Sequence, residues 1–162
     1  MAERIAIYPG TFDPFTNGHL DITERASRIF DKIVVTIAEN SKKIPLFSLQ
    51  ERTDFIADAT KHLPNILIQS FEGLLVDFAQ KQKAVAIIRG LRAISDFEFE
   101  FQMALMNRRL NNDISTVFLM PNEKYTYLNS TIVREVAQFG GNVTKLVTPL
   151  VASKLKMKFG IK

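Results

Sequence analysis

No cysteine occurs anywhere in the 162 residues. Disulfides, thiolate nucleophiles and every zinc or iron–sulfur site built on Cys ligands are therefore excluded. Histidine is nearly as scarce, with two residues, His19 and His62, too few for a metal cluster of histidines. No apolar run approaches the ~20 residues of a membrane span. The opening MAERIAIYPG has neither a basic-plus-apolar leader nor a cleavage pattern. A cytoplasmic protein without membrane attachment is expected. Also missing are the two common phosphate loops, G-x-G-x-x-G and G-x-x-x-x-G-K-[ST], along with internal repeats, low-complexity tracts and linker composition. The charge excess is small: 21 Lys+Arg against 17 Asp+Glu give +4. Lys154, Lys156, Lys158 and Lys162 supply much of it and read as the solvated end of a last helix, so no nucleic-acid partner is expected.

What is present has the composition of an ordinary globular protein, 46% hydrophobic and 23% charged, at the usual size of one domain, residues 1–162. Apolar runs rich in Val and Ile fall at 4–8, 33–38, 65–71, 84–90 and 115–121, each of strand length. Helical patterns separate or follow them at 18–31, 49–63, 74–83, 96–110, 130–139 and 149–158. Ser48 with Glu51, and Ser95 with Glu98, have capping-box spacing. Such alternation implies an α/β domain, a Rossmann-like doubly wound parallel five-stranded sheet with helices on both faces. Ligands of these sheets bind beyond the carboxyl ends of the strands.

Unusual residues collect in the loops at that edge. After the first strand come Gly10-Thr11-Phe12-Asp13-Pro14 and Thr16-Asn17-Gly18-His19. Gly10 is read as the residue that lets the backbone turn sharply near a ligand, and His19 as a donor added to a helix N-terminus, a setting suited to an anion. Asn40-Ser41-Lys42-Lys43 follows the second strand, and Ile88-Arg89-Gly90-Leu91-Arg92 ends the fourth. Arg89 interrupts a buried run and so requires an anionic ligand or a carboxylate. The stretch 125–134, with Asn129, Ser130 and Thr131, offers hydroxyls and free amides that serve equally as helix caps or as a phosphate cradle. Each cluster alone has an ordinary structural reading. Four on one sheet edge point to phosphate.

YPGTFDPFTNGH, the Lys43-x-x-x-Phe47 spacing, IRGLRAISDFEFE (88–100) and LNSTIVRE (128–135) together resemble the bacterial phosphopantetheine adenylyltransferases, nucleotidyltransferases with a T/H-x-G-H signature. The likeness runs from Tyr8 to at least Val147. T-x-G-H marks the superfamily, whereas IRGLR followed by DFEFE is far more specific. The resemblance implies adenylyl transfer from ATP to 4′-phosphopantetheine, giving dephospho-coenzyme A and pyrophosphate, with Mg²⁺ accompanying ATP and no metal ligand from the chain. It implies catalytic roles for His19, Lys43 and Arg92. The nucleotide would meet Thr11, Phe12, His19, Gly90, Leu91, Arg92, Glu100, Tyr125, Thr126, Tyr127, Leu128, Asn129, Ser130 and Thr131. The acceptor would meet Thr11, Lys43, Leu74, Leu75 and Arg89. A homohexamer is implied in the same way.

The residues agree with this chemistry, since an incoming phosphate dianion needs no general base and the site must mainly position groups and stabilise charge. Two rivals remain: a nucleotidyltransferase with another acceptor, such as nicotinate mononucleotide, and a nucleotide-binding domain without turnover. His62, closing a helix in ATKHLPN, is read as solvent-facing.

Overall fold

A computed structural model describes residues 3–39, 44–92 and 94–161, with 94 and 95 described by backbone alone. Five strands form one parallel sheet: β1 (Ile5–Gly10), β2 (Lys32–Ala38), β3 (Ile66–Phe71), β4 (Ala84–Gly90) and β5 (Ser115–Leu119), in the order β3-β2-β1-β4-β5. Strands buried on both faces need continuous apolar runs rather than alternation, and IVV in β2 and AII in β4 meet that need. β5 ends at Leu119, short of the expected 121, because Pro121 has no N–H for a ladder.

Successive side chains of a strand point to opposite faces, which divides the core in two. Ala6, Tyr8, Ile33, Val35, Ile37, Ala86 and Ile88 face the larger cluster, covered by α1 (Asn17–Ser27), α2 (Leu49–Thr60), α5 (Ser130–Gln138) and α6 (Pro149–Phe159). Ile7, Val34 and Ile87 face the smaller cluster with Val76 and Ala79 of α3 (Leu75–Lys81). The fold class read from the sequence is thus the one observed.

Local signals explain most helix ends. Ser48 and Glu51 form the expected capping box at α2, each side chain bonding the other's backbone N–H at 3.2 and 2.9 Å. Thr148 caps α6 ahead of Pro149, and Gly160 closes it in the left-handed conformation at φ 63°, one that costs glycine nothing. The second expected box fails. α4 (Ile94–Leu110) begins before Ser95, which is therefore an interior residue. Asp96 lies in the first turn of α4 and pairs with Arg92 at 3.1 Å, so a carboxylate near the positive end of the helix supports the earlier start. α4 also differs from its neighbours in leaving Phe97, Phe99, Phe101, Leu105, Met106 and Leu110 exposed.

Candidate active site

Strand order reverses about β1, whose chain continues into α1 while β2 and β4 flank it. At such a point the loops diverge and leave a crevice at the carboxyl edge of the sheet. A cleft of about 910 Å³ opens there, bordered by the ends of β1 and β4 and by the segments that open α1, α2 and α5.

The floor of the cleft is the end of β1 with the loop after it, and their carbonyls are held from three sides. Arg89 Nη1 of β4 donates to Pro9 O at 3.1 Å, Arg52 Nη1 of α2 to Thr11 O at 3.0 Å, and Arg134 Nη1 of α5 to Asp13 O. Ser130 Oγ donates to Pro14 O at 2.7 Å. The Asp13 carboxylate reaches the other way and accepts the backbone N–H groups of Leu46 and Phe47, each at 2.9 Å. The sharp turn of this loop lies at Phe12, with φ 51°, rather than at Gly10. Gly10 is required for a different reason: a Cβ there would stand 2.8 Å from the Phe12 ring, closer than packed atoms approach. The glycine makes room for an aromatic ring.

Thr16 caps α1, and His19 completes the box in place of the usual carboxylate. The Thr16 backbone N–H donates to His19 Nδ1 at 3.0 Å. Because a backbone N–H can only donate, Nδ1 must be the unprotonated nitrogen and Nε2 carries the hydrogen. The ring is wedged against Phe12 and Phe15, at 5.1 and 5.5 Å between centroids. Desolvation first, then the positive charges of Arg92 and Arg89, push its pKa down to about 3. His19 is therefore a neutral Nε2–H donor at the positive end of a helix. Burial likewise raises the Tyr8 phenol well above its ordinary value, so it stays protonated and offers no base.

Arg89 meets the carboxylate that its position demanded: Nε and Nη2 donate to the two oxygens of Glu100 at 2.7 and 2.5 Å. With Nη1 on Pro9 O, one N–H remains on each Nη. Arg92 donates to Asp96 at 3.1 Å and to Leu128 O at 3.3 Å, which ties the end of β4 to the segment before α5. There Asn129 caps α5 by accepting the Ile132 N–H at 2.8 Å.

A protein from Thermodesulfovibrio yellowstonii named phosphopantetheine adenylyltransferase is 55% identical over 157 residues, 96% of this chain and 98% of that protein. One of the same name from Dictyoglomus thermophilum is 54% identical over 157 residues, 97% and 96% of the two chains. The chain belongs to the phosphopantetheine adenylyltransferases. A family model described as cytidylyltransferase-like matches residues 7–136, consistent with the broader superfamily. Two structures of Plasmodium falciparum nicotinic acid mononucleotide adenylyltransferase, complexed with APC and with NaAD, match at TM-scores of 0.71 and 0.70. Each is 15% identical and covers 99% of this chain and 97% of that chain, so this likeness carries the fold.

Of the residues that the family resemblance singled out, Thr11, Phe12, His19, Arg89, Gly90, Arg92, Glu100, Tyr125, Leu128, Asn129, Ser130 and Thr131 border the cleft. Five described ones do not. The Leu91 N–H pairs with Leu119 O at 3.0 Å and continues the sheet. Thr126 bonds Glu123 O at 2.9 Å in a 3-10 turn over 123–125, and Tyr127 is exposed. Leu74 is exposed ahead of α3, while Leu75 packs on the smaller core cluster. Lys43, with 40–42, lies outside the described residues. The roles of Asp13, Arg52 and Arg134 have no signal in the sequence, because their partners are set by tertiary contact, and that of Thr16 lies in its cap with His19. His62 is exposed as expected but lies just past Lys61, the C-cap of α2, and its Nε2 is 2.8 Å from Glu24 Oε1 of α1.

Proposed function

We infer that this chain transfers the adenylyl group of ATP to 4′-phosphopantetheine, giving dephospho-coenzyme A and pyrophosphate, the reaction of its family. An acceptor phosphate oxygen attacks the α-phosphorus and forms the new P–O bond. The bond from the α-phosphorus to the bridging oxygen breaks, and pyrophosphate leaves with that electron pair. The acceptor is already a dianion, so no proton has to be removed.

One observation carries this reading: a histidine whose tautomer is set by the Thr16 N–H stands at the strand-order reversal as a neutral donor. A donor fixed in advance stabilises charge that grows on the transferring group more than charge already present in bound ATP. Arg92 and Lys43 are taken as its cationic partners. Arg89, Thr11, Lys43 and the Leu74–Leu75 stretch are assigned to the acceptor, and Gly90 to Arg92, Glu100 and 125–131 to the nucleotide. Among the described residues no three His, Asp or Glu converge, and Asp13, Asp96 and Glu100 are engaged by arginines. Mg²⁺ therefore fits as an ion carried by the phosphate oxygens of ATP, where it disperses their negative charge.

Two further assignments go with the reading. The protein works in the cytoplasm; no helix among the described residues is long and apolar enough to cross a membrane. It also self-associates as a homohexamer, for which the exposed apolar side chains of α4 supply contact surface.

The test is to incubate the protein with ATP and Mg²⁺ and either 4′-phosphopantetheine or nicotinate mononucleotide, following pyrophosphate. Release is expected with the first acceptor alone. Release driven by nicotinate mononucleotide would overturn the acceptor, and ATP binding without release would favour a non-catalytic domain.

A further inference from the structure

Four arginines border the cleft, and three of them face a carboxylate: Arg89 meets Glu100, Arg92 meets Asp96, and Arg134 meets Asp13. Arg52 is the most buried, at 4% exposed, and among the described residues it makes no ion pair. Its Nε donates to Ser48 O at 3.4 Å and its Nη1 to Thr11 O at 3.0 Å. Both partners are neutral carbonyls. Glu39 and Glu72 also border the cleft, but both are exposed and neither pairs with it. A buried guanidinium without a counter-charge is costly, and among the described residues none supplies one.

The unused donors have a direction. Nη2 has no partner among the described residues, yet no buried side-chain polar atom there lacks a partner. Nη2 is therefore not fully buried, on a side chain that borders the cleft. With one N–H left on Nη1 and two on Nη2, the group presents the planar pair of donors that matches two oxygens of a phosphate.

We propose that Arg52 is a phosphate-binding residue of the cleft, completed electrostatically only when a phosphoryl group enters. The proposal rests on the adenylyl-transfer reading and extends it. Its place on α2, across the β1 loop from Asn129, Ser130 and Arg134, assigns it to the acceptor's phosphate. The two carbonyl contacts hold the guanidinium in place beforehand, so little side-chain freedom is lost on binding.

The test compares wild type, Arg52→Met and Arg52→Lys by calorimetric titration with 4′-phosphopantetheine, with pantetheine and with ATP. Arg52→Met is expected to bind 4′-phosphopantetheine about tenfold to a hundredfold more weakly, the range for a lost contact to a charged group. Pantetheine, which lacks the phosphate, should bind it as it binds wild type. Arg52→Lys keeps the charge but not the fork, and should lose about fivefold, one ordinary hydrogen bond. This variant keeps the test decisive if the methionine protein does not fold. Loss confined to ATP would support a phosphate-binding Arg52 but assign it to the nucleotide. Equal loss toward all three ligands, or no loss, would overturn the proposal, because a merely structural arginine does not distinguish a phosphorylated ligand from its parent. If wild type itself neither binds nor adenylylates 4′-phosphopantetheine, it is the reading of the reaction that falls.

Discussion

At the scale of the residue, His19 makes the sharpest commitments. Its donor is expected to act mainly in the transition state, and removing a fixed donor of that kind costs about 10²–10³ in turnover. His19→Ala should therefore lower kcat by roughly that factor while ATP affinity changes by less than about tenfold. A near-normal kcat in a folded variant would make the histidine a helix cap and nothing more. The pH dependence follows from a pKa pushed down to about 3. His19 stays neutral through the range near 6.5 where an ordinary histidine gains its proton, so kcat should show no inflection from this group between about pH 5 and 8. Stability behaves differently. Below about 6.5 the unfolded chain binds a proton at this position and the folded chain does not, so stability falls as pH drops from there toward 3. Urea denaturation of wild type and His19→Gln at pH 7 and pH 5 should show the smaller acid loss in the variant. The T-x-G-H spacing made His19 legible in the sequence, but the tautomer was not, since it depends on which way one backbone N–H points. Arg52 was illegible for a related reason: in LQERTDF it looks like the polar face of a helix, and its partner Thr11 lies 41 residues away.

Elements were easier to read than residues, because apolar period and end signals are local. The six helices and five strands all appear where the pattern put them, with differences of a few residues at their ends. The exceptions have physical causes. Ser95-x-x-Glu98 has the same letters as Ser48-x-x-Glu51, but Ser48 stands at the N-cap of α2, whereas α4 begins before Ser95. The Arg92–Asp96 pair accompanies a start of α4 two residues earlier than expected. This contrast can be tested on α2, where Ser48 accepts the Glu51 N–H and Glu51 returns the bond to the Ser48 N–H. Ser48→Ala should destabilise the protein by about 1 kcal/mol, the usual cost of a lost N-cap, read as a lower urea midpoint with unchanged slope. Because Arg52 Nε also leans on the Ser48 carbonyl, which the substitution leaves in place, acceptor affinity should not follow the stability loss.

For the whole molecule, α4 is the element that a single chain leaves unfinished. Its Phe99 is 63% exposed and Leu105 and Met106 are 51% and 52% exposed, on a helix whose Glu100 grips Arg89 at the cleft. Sedimentation equilibrium should give a mass several times the 18.4 kDa of one chain, and Leu105→Glu with Met106→Glu should shift it toward that value. The sequence showed these residues as helical but not as exposed, since nothing local says which face a neighbour will cover. The strand order has a consequence in time as well as in space. β1 pairs with β2 through Ile7 and Val34, but with β4 through Ile7 and Ile87, so one edge of the first strand finds its partner 27 residues on, across α1, and the other only 80 residues on. Non-local pairing of this kind is slow, because a long loop has to close before it is stabilised. On a ribosome the first three strands can therefore assemble while β4 is still unmade, leaving the inner edge of β1 open to wrong partners. The crevice lies along that same seam, so the place where ligands bind is joined only once more than half of the chain has been made.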